Sequence, residues 1–197
     1  MAKIRHTKGE LRRQKEALKR NNRYLPTLQL KKQQLQVEVN SIQRCLDKEI
    51  EKTEELKREI YGWVAVFGED AGIGKLVGLE KVVTEKGNIA GTDIPVFRGI
   101  EFREEEYDLI TAPLWVDSGI DAVKEMTTLN VRSRIFRRQL ELVREELRTT
   151  TQRVNLFEKV MIPRARENIR KIRIFLGDLQ TAAVVTGKIA KAKIHGK

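Results

Sequence analysis

The residues that could perform chemistry in this 197-residue chain are few. A glycine-rich segment, residues 72–76 (GIGKL), is similar to a phosphate-binding loop, which has a glycine, four residues and then Gly-Lys-Ser/Thr. Here Glu69 stands where the first glycine is required, and Leu76 replaces the hydroxyl residue that would hold magnesium. The spacing therefore favours a flexible turn over a nucleotide site.

The potential metal ligands and nucleophiles also argue against a reactive site. His6, His195 and Cys45 are too few for a structural zinc site, and a lone cysteine forms no internal disulfide. Cys45 adjoins an apolar helix position, so we expect a partly covered thiol and not a reactive one. The carboxylates interleave with Lys and Arg at i, i+4 spacings, as on a solvated helix face. We expect no catalytic residue, no cofactor-binding residue, no cofactor and no metal site.

Net charge and its distribution predict the organisation of the chain. There are 39 Lys and Arg against 28 Asp and Glu, and the balance changes along the sequence from +7 over residues 1–60 to −6 over 61–119 and +10 over 120–197. We predict an N-terminal coiled-coil helix over 1–61, a central module over 62–119, and a C-terminal coiled-coil helix and tail over 120–197. No apolar run is long enough for a membrane helix, and no secretory leader is evident, so a soluble intracellular protein is expected.

Two long helices with one apolar stripe each are predicted on either side of the central module. Thr7 and Glu10 have capping-box spacing, which predicts a helix start near Thr7 or Lys8, and Pro26 is expected to kink that helix. Asp117 or Ser118 is expected to cap the second helix. The predicted seam has apolar residues three or four apart, typical of a coiled coil: Leu11, Leu18, Leu28, Leu35, Val39, Ile42, Leu46, Leu56, Phe136, Leu140, Val143, Leu147, Val154, Phe157, Met161 and Ile172.

The predicted seam contains one irregularity in its spacing, and the apolar stripe of each helix must be covered by another helix. The steps 161→165→169 are two consecutive fours around Pro163, which predicts a bend and a locally loosened seam. A helix with one apolar stripe is stable only when the stripe is covered. We therefore predict a mainly α fold in which the two helices pair antiparallel, with partner numbers adding to about 180. A parallel dimer of two chains is the alternative.

The central module differs in composition from the two helices, and its sequence predicts a β-hairpin. It holds nine of the 13 glycines, and residues 79–85 and 94–102 have strand composition around a turn-rich segment, 86–93. Pro95 requires an edge or strand-start position. An isolated hairpin is marginal in water, so it must pack on something. The acidic run 104–106 is interpreted as a solvated loop, with a partner-docking patch as the alternative. Candidates for the packing are Trp63, Val64, Val66, Phe67, Leu114 and Trp115.

The basic helices leave two functional classes open. Clusters such as Arg132, Arg134, Arg137 and Arg138 could contact phosphates, which predicts a basic coiled-coil protein that binds nucleic acid or acts as a scaffold. Against this, few aromatic residues are available to stack on bases. The other interpretation is a rod whose charged sides slide against the polar walls of a protein ring.

A motif in the C-terminal helix favours the second interpretation. Residues 153–164 (RVNLFEKVMIPR) are similar to the RVNALE…IP pattern of the D subunits of vacuolar/archaeal-type (V/A-type) rotary ATPases, with Phe157 as a minor departure. The N-terminal segment 7–11 and the central 88–95 also resemble that family, so the likeness covers essentially the whole chain. The motif positions carried over are Arg153, Asn155, Glu158, Pro163 and Arg164.

The resemblance implies a specific function. Proteins of this family form the non-catalytic central shaft of the ATP-hydrolysing sector, inside a hexamer of A and B subunits. The F subunit binds at the middle block, and a funnel-shaped subunit links the shaft to the membrane rotor ring. Rotation couples ATP hydrolysis or synthesis to proton or sodium transport. The implied location is cytoplasmic and peripheral to the membrane, with no direct contact with nucleic acid.

Overall fold

A computed structural model describes residues 4–63, 73–105, 107, 113 and 115–195. It confirms the predicted mainly α fold, with a long helix near each end of the chain and a two-stranded antiparallel hairpin in the centre. The elements are α1 (Lys8–Trp63), α2 (Ile73–Leu76), β1 (Val77–Ile89), β2 (Thr92–Glu104), α3 (Val116–Asn155), a π-helical segment (Leu156–Met161) and α4 (Ile162–His195).

The start of α1 follows from its cap. The backbone N–H of Glu10 donates to Thr7 Oγ1 at 3.2 Å, which satisfies a donor that has no partner within the helix. The predicted start at Thr7 or Lys8 is therefore confirmed. Pro26 lies inside α1, which is one element from Lys8 to Trp63, and the kink expected there stays a prediction.

Residue contacts divide the chain into two compact units. The first unit contains residues 1–32 and 149–197, and the second contains residues 33–148. The division into three blocks at 61/62 and 119/120 stays a prediction, although α1 ends and α3 begins close to those boundaries.

Within each unit the helical segments run antiparallel. In the first unit Asn168 Nδ2 donates to Gln14 Oε1 at 3.3 Å, and the rings of His6 and Phe175 lie 4.9 Å apart. In the second unit Arg144 Nη2 donates to Gln43 Oε1 at 3.0 Å. The numbers of these partners add to between 181 and 187, close to the predicted sum.

An apolar core holds the hairpin against the helices of the second unit. Ile94 of β2 is buried in one cluster with residues of α1 and α3, and Ile89 and Val96 pack against it. This cluster is what stabilises a two-stranded sheet that would be marginal alone. The buried helical members of the cluster follow the predicted three- and four-residue spacing: Leu35, Val39, Ile42, Leu46, Leu140 and Val143.

The hairpin is longer and its turn tighter than predicted. Its strands pair from Val77↔Glu104 to Ile89↔Thr92, so most of the predicted turn, residues 86–93, lies in the strands. Ala90 and Gly91 form the turn with φ of 49° and 83°, and two positive φ values are what a two-residue type I′ turn requires. Asn88 Oδ1 accepts the Gly91 N–H at 3.0 Å, which fixes the turn. Pro95 is tolerated because both strands of a two-stranded sheet are edges.

A second apolar cluster forms where the hairpin meets the start of α3. Val77, Val116 and Ile120 are buried there, with Trp115 packed against them. The N–H of Gly119 donates to the carbonyl of Trp115 at 2.9 Å, so α3 already begins at Val116. The prediction that Asp117 or Ser118 caps this helix is therefore wrong, since both lie inside it. The predicted packing residues Val64, Val66, Phe67 and Leu114 lie outside the described residues, as does the side chain of Trp63.

Candidate interaction surfaces of the paired helices

The predicted seam residues of the second unit lie mostly at the buried face. Leu35 and Val143 are fully buried, and Val39, Ile42, Leu46 and Leu140 nearly so. Leu56, Phe136 and Leu147 are half-buried. Ile42 and Leu46 pack on Leu140 and Val143 in one cluster, which brings α1 and α3 together.

In the first unit the seam departs from prediction at the π-helical segment. Val154 and Ile172 are buried, and Leu11, Leu18, Leu28 and Phe157 are half-buried. Met161 is 37% exposed, so its prediction as a seam residue is wrong, and the adjacent Ile162 is buried in its place.

Backbone geometry explains the shift. The N–H of Ile162 donates to the carbonyl of Phe157, five residues back, and this π-helical turn adds a residue before α4. Pro163 lacks an N–H, and in an α-helix its ring would clash with the carbonyl four residues earlier. The wider turn accommodates the proline. None of the six residues in the π-helical segment is buried, in keeping with the loosened seam predicted around Pro163.

The five motif positions share one property: all are exposed. They do not contribute to the buried stripe, so their side chains are available to partners outside the helix pair. The residues are Arg153, Asn155, Glu158, Pro163 and Arg164.

Polar contacts that the apolar pattern did not reveal join the hairpin to the helices. Gln139 is buried and its Nε2 donates to the carbonyl of Pro95. The Arg132 guanidinium lies 5.4 Å from the ring centroid of Phe97 in β2, and its Nη1 lies 3.6 Å from Glu49 Oε1 in α1. The position of Glu49, three residues after Leu46 on the seam, could have signalled its burial.

Side-chain hydrogen bonds shift several pKa values at the surface. Tyr107 donates its hydroxyl hydrogen to an oxygen of Asp117, and this bond to the neutral phenol raises the pKa of Tyr107. Hydrogen bonds from Arg170 lower the pKa of Glu167 by stabilising its carboxylate. Both residues are half-buried at the surface, and each shift comes from one neighbouring side chain, so these shifts describe local pairing and not a reactive centre.

Potential reactive or ligating groups are dispersed. Cys45 is exposed, so the prediction that it is partly covered is wrong: it faces away from the buried stripe that contains Leu46. Among the described residues, no group of three or more His, Cys, Asp and Glu could hold a metal ion. The same residues contain no helix that is both long enough and apolar enough to cross a membrane.

Comparison with known proteins gives consistent matches over the full length. A family model described as the D subunit of ATP synthase matches residues 10–192. The D subunit of the V-type ATP synthase of Borreliella burgdorferi is 46% identical over 197 residues, covering 100% of this chain and 98% of the relative. The proteins of the same name from Chlamydia caviae and Chlamydia trachomatis serovar L2 are 36% and 34% identical, covering 98% of this chain and 95% and 97% of the relatives.

Proposed function

The chain belongs to the D-subunit family of ATP synthases, and on this premise we propose that it is the non-catalytic central shaft of a V/A-type rotary ATPase. In this role it rotates inside a hexamer of A and B subunits. Its rotation couples ATP hydrolysis or synthesis to the transport of protons or sodium ions across the membrane.

The proposed partners follow from this position in the complex. The A and B subunits surround the paired terminal helices, and the F subunit binds near the central module. A funnel-shaped subunit connects the shaft to the membrane rotor ring. The chain is then peripheral to the membrane on its cytoplasmic side, and contacts the membrane only through the complex.

The observation that carries the proposal is the antiparallel pairing of long helices through a buried stripe. Leu35 and Val143 are fully buried in the second unit, and Ile172 in the first. Two helices locked by a shared apolar face resist twisting better than either helix alone, which suits an element that transmits torque.

The charged outer faces support the same role. Exposed ion pairs such as Arg12–Glu16 and Arg138–Glu141 are formed between neighbours on one helix. Such pairs contribute only about 0–1 kcal/mol each, so a ring that contacts them meets weak and interchangeable interactions. A shaft that must turn should bind its bearing tightly at no single angle.

Copurification tests the proposal against the nucleic-acid alternative. The tagged chain, isolated from its native cells, should bring down A, B and F subunits at fixed stoichiometry. Retention of the chain on DNA that falls steeply with salt, without ATPase subunits, would instead favour the basic nucleic-acid-binding protein.

A further inference from the structure

A cationic cavity in the first unit has features that the shaft role does not require. It has a volume of about 690 Å³ and lies between the start of the chain and α1 on one side and the π-helical segment and α4 on the other. We refer to it as the arginine groove, after the four arginines that line it: Arg5, Arg13, Arg20 and Arg164.

The arginine groove carries a large excess of positive charge. Glu10 is its one carboxylate, and Glu10 already accepts a hydrogen bond from Gln14 Nε2 at 2.8 Å. The other Glu10 oxygen lies 4.0 Å from Arg13 Nη1. Arg5, Arg20 and Arg164 form no ion pair with any residue that the structure describes. Like charges held together without counterions favour binding of an anion.

Two buried amides line the same cavity. Asn21 is 6% exposed and Asn168 is 8% exposed. Asn168 Nδ2 donates to Gln14 Oε1 at 3.3 Å, whereas the Asn21 side chain makes no hydrogen bond within the described part of the chain. Although Asn21 is largely buried as a residue, the polar atoms of its side chain remain accessible from the cavity, so its amide can donate to a ligand oxygen there.

The spacing of the arginines indicates an elongated ligand. Arg13 and Arg20 are seven residues apart on α1, or about 10 Å along the helix axis. The hydrogen bond between Gln14 and Asn168 fixes the register of α4 against α1. In this register Arg164 of α4 lies between Arg13 and Arg20 along the axis of α1. Guanidinium groups pair bidentately with phosphate oxygens, and a single phosphate is too small to reach both ends of this row.

We propose that the arginine groove binds a linear polyphosphate, either free or as part of a nucleoside di- or triphosphate. Leu156, Val160 and Met161 line the same cavity and are exposed, so they offer an apolar surface on which a nucleoside would pack. These three residues belong to the π-helical segment, and π-helical turns recur at functional sites. The site is independent of the proposed shaft function and distinct from segment 72–76.

Calorimetric titration of the full chain with tripolyphosphate, ATP and adenosine tests the proposal. Tripolyphosphate and ATP should bind with one-to-one stoichiometry, and adenosine should not. The double substitution Arg13→Gln/Arg20→Gln should weaken binding at least tenfold. Arg12→Gln/Arg23→Gln is the matched control, because it removes the same charge from α1 outside the groove; it should change the affinity less than twofold. Circular dichroism checks that both variants keep their helices.

Comparing the affinities of ATP and tripolyphosphate shows whether the groove binds a nucleotide or free polyphosphate. Tighter binding of ATP than of tripolyphosphate, lost on Val160→Ser, assigns the site to a nucleotide; equal affinities assign it to free polyphosphate. NMR provides a readout without mutation, since the side-chain amide signals of Asn21 should shift on titration. Absence of binding, or equal weakening in the groove and control variants, would overturn the proposal. Binding of an acidic peptide but not of tripolyphosphate would also overturn it.

Discussion

Arg132 links three elements of the second unit through one side chain. Its guanidinium contacts the face of Phe97 in β2 and approaches Glu49 in α1, while its own backbone belongs to α3. A guanidinium can do this because it is planar and keeps its charge while stacking on an aromatic ring. The hairpin is therefore held to the helices by a charged contact as well as by the apolar cluster around Ile94.

Tyr107 should show the effect of its partner on alkaline titration. Donation of its hydroxyl hydrogen to Asp117 raises the pKa of Tyr107 in the folded chain. The hydrogen bond from Tyr107 therefore contributes fully to stability below about pH 10, the pKa of tyrosine in the unfolded chain. This contribution is lost as the pH rises through the higher pKa that Tyr107 has in the folded chain. We expect the phenolate absorbance of Tyr107, obtained by subtracting the Tyr107→Phe spectrum, to appear above that ordinary pKa. Asp117→Asn should move the pKa downwards; an unchanged midpoint would show that the bond does not form.

Gly87→Ala should destabilise the hairpin, whereas Gly99→Ala should not. A Cβ atom at Gly87 would lie 2.6 Å from Val96 Cγ2, and the β-branched valine has little freedom to move aside. At Gly99 a Cβ atom meets nothing within 4 Å. We expect Gly87→Ala to lower the free energy of unfolding by about 1–3 kcal/mol. Gly99→Ala should leave it unchanged or raise it by up to about 1 kcal/mol. Thermal unfolding of the two variants measures the difference, and equal effects would contradict the close contact at Gly87.

At the scale of elements, regular patterns were predictable and local exceptions were not. The spacing of Leu35, Val39 and Ile42 defines a buried stripe without any knowledge of the partner helix. A proline inside a helix is accommodated either by a kink or by a wider turn, and the apolar spacing does not indicate that the wider turn forms before Pro163 and buries Ile162 in place of Met161. The short turn at Ala90 was hidden because Gly87 and Asn88, both typical of turns, lie in the strand.

Leu35→Ala tests whether the helical stripe in the second unit stabilises the chain. Leu35 is fully buried in the cluster that joins α1, α3 and the hairpin. We expect its truncation to cost about 2–5 kcal/mol, because a cavity remains where the side chain was. Leu30→Ala is the matched control on the same helix: Leu30 is 60% exposed, and the expected change is within about 0.5 kcal/mol. Urea unfolding followed by circular dichroism distinguishes the two, and similar midpoints would contradict the assignment of the stripe.

At the scale of the whole molecule, the sequence was most informative about family and fold class. The segment 153–164 carried the resemblance that the full-length matches confirm, and its motif residues prove to be exposed. The arginine groove was not predicted, since Arg164 is far in sequence from Arg5 and Arg20 and only the antiparallel register brings it to them. Basic residues read along the sequence indicate a cationic surface, but not a cavity.

Val154→Asp should abolish coupling in the assembled complex. Val154 is 4% exposed, and an ionised carboxylate at that position would be buried without a partner, which separates or unfolds the paired helices. We expect ATP-driven ion pumping in reconstituted vesicles to be lost. Val37→Asp, at a position that is 61% exposed on α1, should pump normally. Full pumping efficiency in the Val154→Asp complex would contradict the role of a stiff helix pair.

Single-molecule rotation would show whether this chain turns inside the complex. The A and B hexamer is fixed to a surface and a bead is attached to the exposed Cys45, the one cysteine of the chain. The shaft proposal predicts that ATP drives stepwise rotation of the bead in one direction, and that a crosslink between the chain and the hexamer stops both rotation and sustained ATP turnover. A bead that stays still while the same complexes hydrolyse ATP at the full rate would contradict the claim that this chain is the rotating shaft.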